Sequence, residues 1–206
     1  MRWVMPEIFH DLPVRELDDD EAVGLLEELV EKALPGAAED DRTTFGLMCA
    51  LGVGDLRAAG VEYAGICVIA VDGVPCTATV SVTLVDSPDS LGVPGAVREI
   101  SSGLRRTAAD EVSELELPCG SAVLCIGRRE SEFPAELTDS SESFTFPTTY
   151  IRVWVPLPNG TTVVTEMGTA TMTGWDAFST MFGNIVSSIR LFRADGTPLI
   201  TSRARM

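Results

Sequence analysis

The chain has 206 residues, 45% of them hydrophobic, and carries 31 acidic residues against 15 lysines and arginines, for a net charge of −16 at pH 7. This length and apolar content predict one globular domain with a sizeable core. The acidity argues against nucleic acid and anionic membrane surfaces as partners, because both attract basic proteins.

The hydrophobic pattern also bears on location. The longest apolar run, Ala64 to Val71, is much shorter than a membrane-spanning helix. The residues after Arg2 lack the apolar core of a signal peptide. We therefore expect a cytoplasmic protein with no membrane partner.

An extended arm and a pair of helices are predicted for the first 59 residues. Pro6 and Pro13 disfavour a helix in the arm, residues 1–19, and Ile8, Phe9 and Leu12 are expected to hold it against the body. The acidic run 18–21 is typical of a helix N-terminus rather than of a cation site, since it lacks the spacing of an EF-hand loop. Within the helical pair, residues 20–59, helices are predicted at about 21–34 and 41–59. The side chains expected to face inward are Ala22, Val23, Leu26, Leu29, Val30 and Ala33 in the first helix and Phe45, Met48, Cys49 and Leu56 in the second.

Residues 61–85 predict a hairpin with a two-residue Asp-Gly turn at 72–73. This turn pairs Val61 with Leu84, Cys67 with Ala78 and Ile69 with Cys76. One face of the hairpin is then wholly apolar, and the two cysteines lie in the core. A third helix is predicted at about 94–106, strands at 112–117 and 122–128, and a long acidic, mobile loop at 130–143.

The strongest turn signal is Leu-Pro-Asn-Gly at 157–160. A two-residue Asn-Gly turn would place Val153 opposite Glu166 and mix charged and apolar groups on both faces. A three-residue loop, 158–160, with Gly160 in the left-handed conformation, instead places Arg152 opposite Glu166 and leaves one face apolar. We therefore predict the three-residue loop. The following helix, about 175–189, is expected to pack on the apolar face, with Thr173 or Asp176 as its N-cap.

Hairpins dominate this order of elements, so the sequence predicts an α+β fold: a largely antiparallel, twisted sheet of about six strands packed against helices. The sheet and its helices occupy residues 61–192 of a single domain. Residues 193–206 are predicted to form a flexible tail with a turn at Asp195-Gly196.

Catalytic machinery is not evident in the sequence. Cys119 is the best candidate nucleophile, because it lies in a turn where its thiol would be exposed, but a nucleophilic cysteine needs a base or a cation. The single histidine, His10, lies in the arm and is interpreted as a surface or packed residue. The five cysteines form no CxxC pair and are predicted to be reduced and mostly buried, so we predict no catalytic residue, metal or cofactor. Glu114 and Glu116 alternate on one strand and are interpreted as a solvated edge.

A binding surface is the first function hypothesis. The sheet face that carries Tyr150, Arg152 and Trp154 presents residue types that are enriched at binding hot spots. We expect a non-catalytic binding or accessory protein that acts through a protein partner, for example in a secretion system or an operon-encoded assembly. The competing interpretation is that a helix or the N-terminal arm covers this face.

A ligand cavity is the alternative. Met167, Met181 and Phe182 would then line an apolar space between the sheet and the last helix. The protein would be a small-molecule binder or a cofactor-free enzyme. The sequence specifies neither the ligand nor the oligomeric state.

Three segments carry a family resemblance. The runs AAGVEYAGICVIAVDGVPCTATVSV (58–82) and LELPCGSAV (115–123) resemble a family of uncharacterised actinobacterial proteins. The closing hairpin followed by FSTMFGNIVSSIRLF (178–192) is similar to the last unit of the PsbP/Mog1-like fold, which occurs in lipoproteins and small accessory proteins. The resemblance implies a non-enzymatic adaptor. Lipoproteins of this kind carry a signal peptide and a lipobox, neither of which is evident here, so an envelope role is not expected.

Overall fold

The structure, a computed structural model, describes residues 1–15, 17–87, 92–107, 111–133, 135, 143–193 and 195–198. Most of the predicted acidic loop and of the predicted flexible tail lies outside the described residues. The elements in chain order are β1 (His10–Asp11), α1 (Asp19–Ala33), α2 (Glu39–Ala58), β2 (Val61–Val71), β3 (Val74–Asp86), α3 (Gly92–Thr107), β4 (Glu111–Leu117), β5 (Gly120–Phe133), β6 (Phe144–Pro156), β7 (Thr161–Thr169), a 3₁₀ turn (Met172–Gly174) and α4 (Trp175–Ser188).

The described strands form one antiparallel sheet with the order β1-β2-β3-β7-β6-β5-β4. The predicted α+β class is confirmed, but the sheet has seven strands within the described ranges rather than six. The additional strand is β1, in which His10 pairs with Ile66 and Asp11 with Gly65. A two-residue strand contains too little sequence to show an alternating pattern, so the arm was expected to be merely extended.

The predicted register of the central hairpin is confirmed. Arg152 pairs with Glu166 and Val155 with Val163, and the loop 158–160 ends with Gly160 at φ +79°. Only glycine adopts this left-handed conformation without steric cost. The apolar pattern of β6 and β7 therefore determines which side chains share a face.

The apolar face of the sheet packs against α4 and the N-terminal arm. Phe178, Phe182 and Ile185 are buried against it, as predicted. Phe9 of the arm joins the same core, and Trp3 makes an edge-to-face contact with Tyr63, at 5.3 Å between ring centroids. This face is thus covered by one helix and the first residues of the chain.

The described helices cover the opposite face only at its two ends. At the β2 end, α1 and α2 enclose a second, smaller core. Its buried members are Leu12, Val14, Leu29, Val30, Cys49, Val53 and Ala64. At the other end, α3 contacts β4, β5 and β6. The central strands lie between these two helical layers.

Several predicted details are wrong. A bulge after Val61 pairs this residue with Thr83 instead of Leu84, although the rest of that hairpin has the predicted register. Ile8, Val23 and Met48 are exposed rather than buried, because the apolar residues of the arm and of α1 and α2 exceed what one buried stripe can hold.

Two further corrections concern element ends. Residues 130–133, expected to lie in the acidic loop, extend β5, where Phe133 pairs with Phe144 and their rings stack at 5.1 Å. Neither Thr173 nor Asp176 caps α4. The helix follows directly from the 3₁₀ turn, and its N-cap residue, Gly174, has no side chain to donate or accept.

Candidate functional site

A cluster of charged and aromatic side chains lies on the central strands, between the two helical layers. We call it the arginine cluster: Arg129 of β5, Tyr150, Arg152 and Trp154 of β6, and Glu166 of β7. The cross-strand pairing that sets Arg152 beside Glu166 forms its centre. The predicted binding residues thus lie together on one face, because side chains two apart on a strand point the same way.

Arg152 is held on three sides. Its Nε donates a hydrogen bond to Oε2 of Glu166, and its Nη2 lies beside the same oxygen. Along β6, its guanidinium lies 5.3 Å from the centre of the Tyr150 ring and 5.5 Å from that of Trp154. Both distances are within the range of cation–π attraction. These contacts restrict a side chain that would otherwise sample many rotamers.

Arg129 approaches the cluster from the neighbouring strand. Its Nη1 lies 2.7 Å from Oε1 of Glu166, and its guanidinium is 5.5 Å from the centre of the Tyr150 ring. Gly168, which pairs with Tyr150 across the strands, lies beside Arg129: a Cβ at this position would be in ordinary van der Waals contact, 3.7 Å from Nη2 of Arg129. Glu166 is therefore shared by two arginines, one on each carboxylate oxygen.

Partial burial strengthens these interactions. The Glu166 side chain is 14% exposed, while those of Arg152 and Arg129 are 34% and 44% exposed. Two guanidinium groups against one carboxylate give the cluster one net positive charge in a protein whose net charge is −16. The site is thus a small cationic and aromatic platform that remains in contact with solvent.

Trp154 also borders a hollow of about 220 Å³ between α3 and the ends of β3 and β7. Its lining combines Ala96 and Ile100 of α3 and Thr162 of β7 with two acidic residues, Asp86 and Glu99. Trp154 is therefore a predicted site residue that lies beside α3. Trp3 and Phe9 of the N-terminal arm pack on the other face of the sheet, and Leu12 and Val14 join the second core beside α1 and α2. Tyr150, Arg152 and Trp154 all remain partly exposed.

The residues of the alternative cavity hypothesis lie in the main core. Met167 and Phe182 are buried, and Met181 is partly buried against the same cluster. Met167 is among the largest fully buried side chains of the described residues. A ligand that reached these three residues would have to separate α4 from the sheet.

Cys119, the candidate nucleophile, is not exposed. The thiol is buried at the edge of the main core, and burial raises its pKa despite the opposing charge of Arg190. A thiol with a raised pKa is mostly protonated at neutral pH and is a poor nucleophile. All five cysteines are free and buried, as predicted. Glu114 and Glu116 are exposed on β4, an edge strand, which confirms their interpretation.

The sequence predicted four of the five members of the arginine cluster, Tyr150, Arg152 and Trp154 as binding residues and Glu166 as the partner of Arg152, but not Arg129. The predicted strand ended at residue 128, whereas β5 continues to Phe133. The available signal was the Phe133 and Phe144 pair, since aromatic residues facing each other across two strands favour an extended hairpin.

No family model matches the sequence, and no curated protein matches it significantly. In the described part of the chain, no group of three histidine, cysteine or acidic side chains could hold a metal ion. Among the described helices, none combines the length and the apolar character needed to cross a bilayer.

Proposed function

We propose that the protein is a non-catalytic, cytoplasmic binding or accessory protein that engages a protein partner through Tyr150, Arg152 and Trp154. The observation that carries the proposal is the state of Arg152, which is partly exposed yet held by Glu166 and by two aromatic rings. Arginine, tyrosine and tryptophan dominate the binding energy of many protein interfaces.

The fixed geometry of Arg152 favours binding for an energetic reason. Ordering a long side chain at an interface costs about 0.5–1.5 kcal/mol, and a side chain that is already ordered avoids most of this cost. Arg129 is held in a similar way by Glu166 and Tyr150. The side chains of the arginine cluster are therefore already ordered in the absence of a partner.

The volume of the hollow beside Trp154 limits the size of the group that it can bind. Its volume of about 220 Å³ is below the roughly 300–1,000 Å³ typical of small-molecule sites. It can receive one side chain of a partner, next to a tryptophan that supplies a large apolar surface. This favours a protein surface over a free ligand as the occupant.

The charge of the platform indicates the chemistry of the partner. Two guanidinium groups share one carboxylate, so the cluster retains one positive charge and suits a segment that offers carboxylate or carbonyl oxygens. We propose a partner with an acidic or carbonyl-rich loop at the contact and an apolar side chain that enters the hollow.

The family resemblance adds to this proposal. The antiparallel sheet and the closing hairpin-and-helix unit support a PsbP/Mog1-like architecture as the finer description of the fold, and the accessory proteins of that fold are non-enzymatic. We propose both the fold relationship and the relationship to the actinobacterial family on these grounds.

Affinity isolation of the tagged protein from its native host, followed by mass spectrometry of intact complexes, tests the proposal. We expect a protein partner at a fixed stoichiometry. Recovery of the protein alone, and especially with an added small-molecule mass, would overturn it in favour of ligand binding.

A further inference from the structure

A groove between α1 and α2 forms a second surface with the properties of a binding site. It has a volume of about 600 Å³ and is open to solvent. Leu26 and Val30 contribute apolar surface from α1, and Val30 is nearly buried. The groove is distant in sequence from the arginine cluster and shares no lining residue with it.

The walls of the groove expose large apolar side chains. Val23 of α1 and Leu47 of α2, which both line it, are 54% and 51% exposed. Leu51 follows Leu47 by one helical turn, lies on the same side of α2 and is also exposed. Isolated exposed apolar residues are common on protein surfaces, but Val23 and Leu47 line the same groove, and apolar side chains grouped in this way indicate an interaction site.

Close helix packing gives the groove its shape. Gly46 of α2 lies against Val30, and a Cβ at position 46 would lie 3.3 Å from Cγ2 of Val30. The two helices therefore approach closely below the groove, while the side chains of Val23 and Leu47 rise on either side. A trough between two closely packed helices suits the apolar stripe of a third helix.

The charges around the groove determine which helix fits. α1 carries six acidic residues and one lysine, and α2 carries four acidic residues and two arginines, which gives the pair a net charge of −7. Glu27, Glu31 and Glu39 border the groove itself, and Arg42, the one basic residue among the described residues that line it, lies 3.8 Å from Glu31. A cationic partner is thus attracted, whereas a second copy of the chain would bring an equally acidic surface and be repelled.

We propose that the α1–α2 groove binds a basic amphipathic helix of a protein partner. The apolar stripe of that helix covers Val23, Leu47 and Leu51. Its flanking lysine or arginine side chains meet the acidic border. This site is independent of the arginine cluster, so either proposal can fail while the other stands.

Fluorescence anisotropy with a designed peptide tests the proposal. The probe is a labelled helical peptide of about 18 residues, close in length to α2, with leucines along one stripe and lysines on both flanks. Two control peptides keep its length: one has the same composition in scrambled order, and one has glutamate in place of lysine. The full-length chain is the binding partner throughout.

The matched variants separate the groove from the rest of the helical surface. Val23→Ser/Leu47→Ser removes its apolar walls and is expected to weaken binding by about tenfold or more. Leu25→Ser changes a leucine that is 41% exposed on α1 but outside the groove, and it should leave the affinity unchanged. All these residues are exposed, so folding should survive, and circular dichroism checks this.

The expected result is saturable binding of the amphipathic basic probe, much weaker binding of both control peptides, and loss only with the groove variant. Equal binding of the scrambled peptide would mean non-specific charge attraction and would overturn the proposal. An absence of probe binding or equal effects of the two variants would also overturn the proposal. A concentration-dependent dimer that Leu47→Ser abolishes would overturn it as well.

Discussion

Replacement of Glu166 by glutamine tests whether the arginine cluster is a coupled unit. The substitution keeps the size of the side chain but removes the charge that both Arg129 and Arg152 approach. It leaves two partly buried guanidinium groups without their shared counter-charge. We expect the folded state to lose stability and Arg152 to lose its fixed position.

The degree of burial sets the magnitude of the loss. Exposed ion pairs contribute about 0.2–1 kcal/mol, whereas removal of one partner from a fully buried pair costs about 3–5 kcal/mol. Glu166 is 14% exposed and its two arginines 34% and 44%, so the cluster lies between these limits. We expect a loss of about 2 kcal/mol, which lowers the Tm of a chain of this size by about 4–8 °C.

A double-mutant cycle in thermal unfolding measures each pair separately. The coupling of Glu166 to Arg152 should exceed its coupling to Arg129, because Arg152 presents two nitrogens to the carboxylate and is the less exposed of the two. Glu28→Gln is the matched control. It breaks the exposed pair of Glu28 with Lys32 and should leave the Tm unchanged.

Two results would refute this reasoning. A Tm for Glu166→Gln equal to that of the parent would show that the carboxylate does not stabilise the cluster. A larger coupling to Arg129 than to Arg152 would show that Arg152 is not the better-held side chain, and the argument for a preorganised platform would fail with it.

Three further predictions concern the core and use paired variants or a pH series. Thr165→Val should raise the free energy of unfolding by about 1 kcal/mol, because the buried Thr165 hydroxyl has no hydrogen-bond partner among the described residues. Thr169→Val should lower the free energy of unfolding, because the Thr169 hydroxyl donates a hydrogen bond to a backbone carbonyl at 2.6 Å. Urea denaturation of both variants measures the difference. Gly174→Ala should destabilise the folded state by about 1–3 kcal/mol, since the new Cβ would lie 2.5 Å from a buried ring. Gly183→Ala, on the open side of α4, should stabilise the folded state by about 0.5–1 kcal/mol. A similar Tm for both variants would contradict the tight packing around Gly174. Burial raises the pKa of Cys67 from 9.0 to about 12, so above about pH 9 this thiol ionises in the unfolded chain but not in the folded one. The Tm should therefore stay level up to about pH 9 and fall above it, and the fall should be less steep in Cys67→Ala. An unchanged Tm at about pH 10.5 would contradict this expectation.

The central hairpin was predictable because its chemistry excludes the alternative register. Only the three-residue loop separates the apolar side chains of β6 and β7 from the charged ones and brings Arg152 to Glu166. The packing of α4 followed from its apolar stripe in the same way. Patterns that repeat over many residues predict structure well, since burial of one face stabilises all of them together.

The unpredicted features depend on contacts between distant segments. β1 exists because two residues of the arm meet the edge of β2, and neither residue shows a strand pattern. The second half of β5 is rich in charged residues of both signs, and its pairing with β6 makes it a strand. Arg129 joined the candidate site only through that pairing, so composition could not reveal it.

The exposed faces of α1 and α2 illustrate a further limit. Helical periodicity identified apolar positions but not which of them the fold would cover. Val23 was expected to face inward together with Leu29, yet only Leu29 reaches the core. The difference depends on where α2 lies relative to α1, and that position depends on the whole domain.

The most direct test of the proposed function compares two tryptophan variants against the purified partner. Trp154→Ala alters the arginine cluster, while Trp175→Ala removes the same side chain type from the opposite face of the sheet. Isothermal titration calorimetry on both variants, each checked for folding by circular dichroism, should show binding lost or strongly weakened with Trp154→Ala and retained with Trp175→Ala. Undiminished binding by Trp154→Ala would contradict the proposed face.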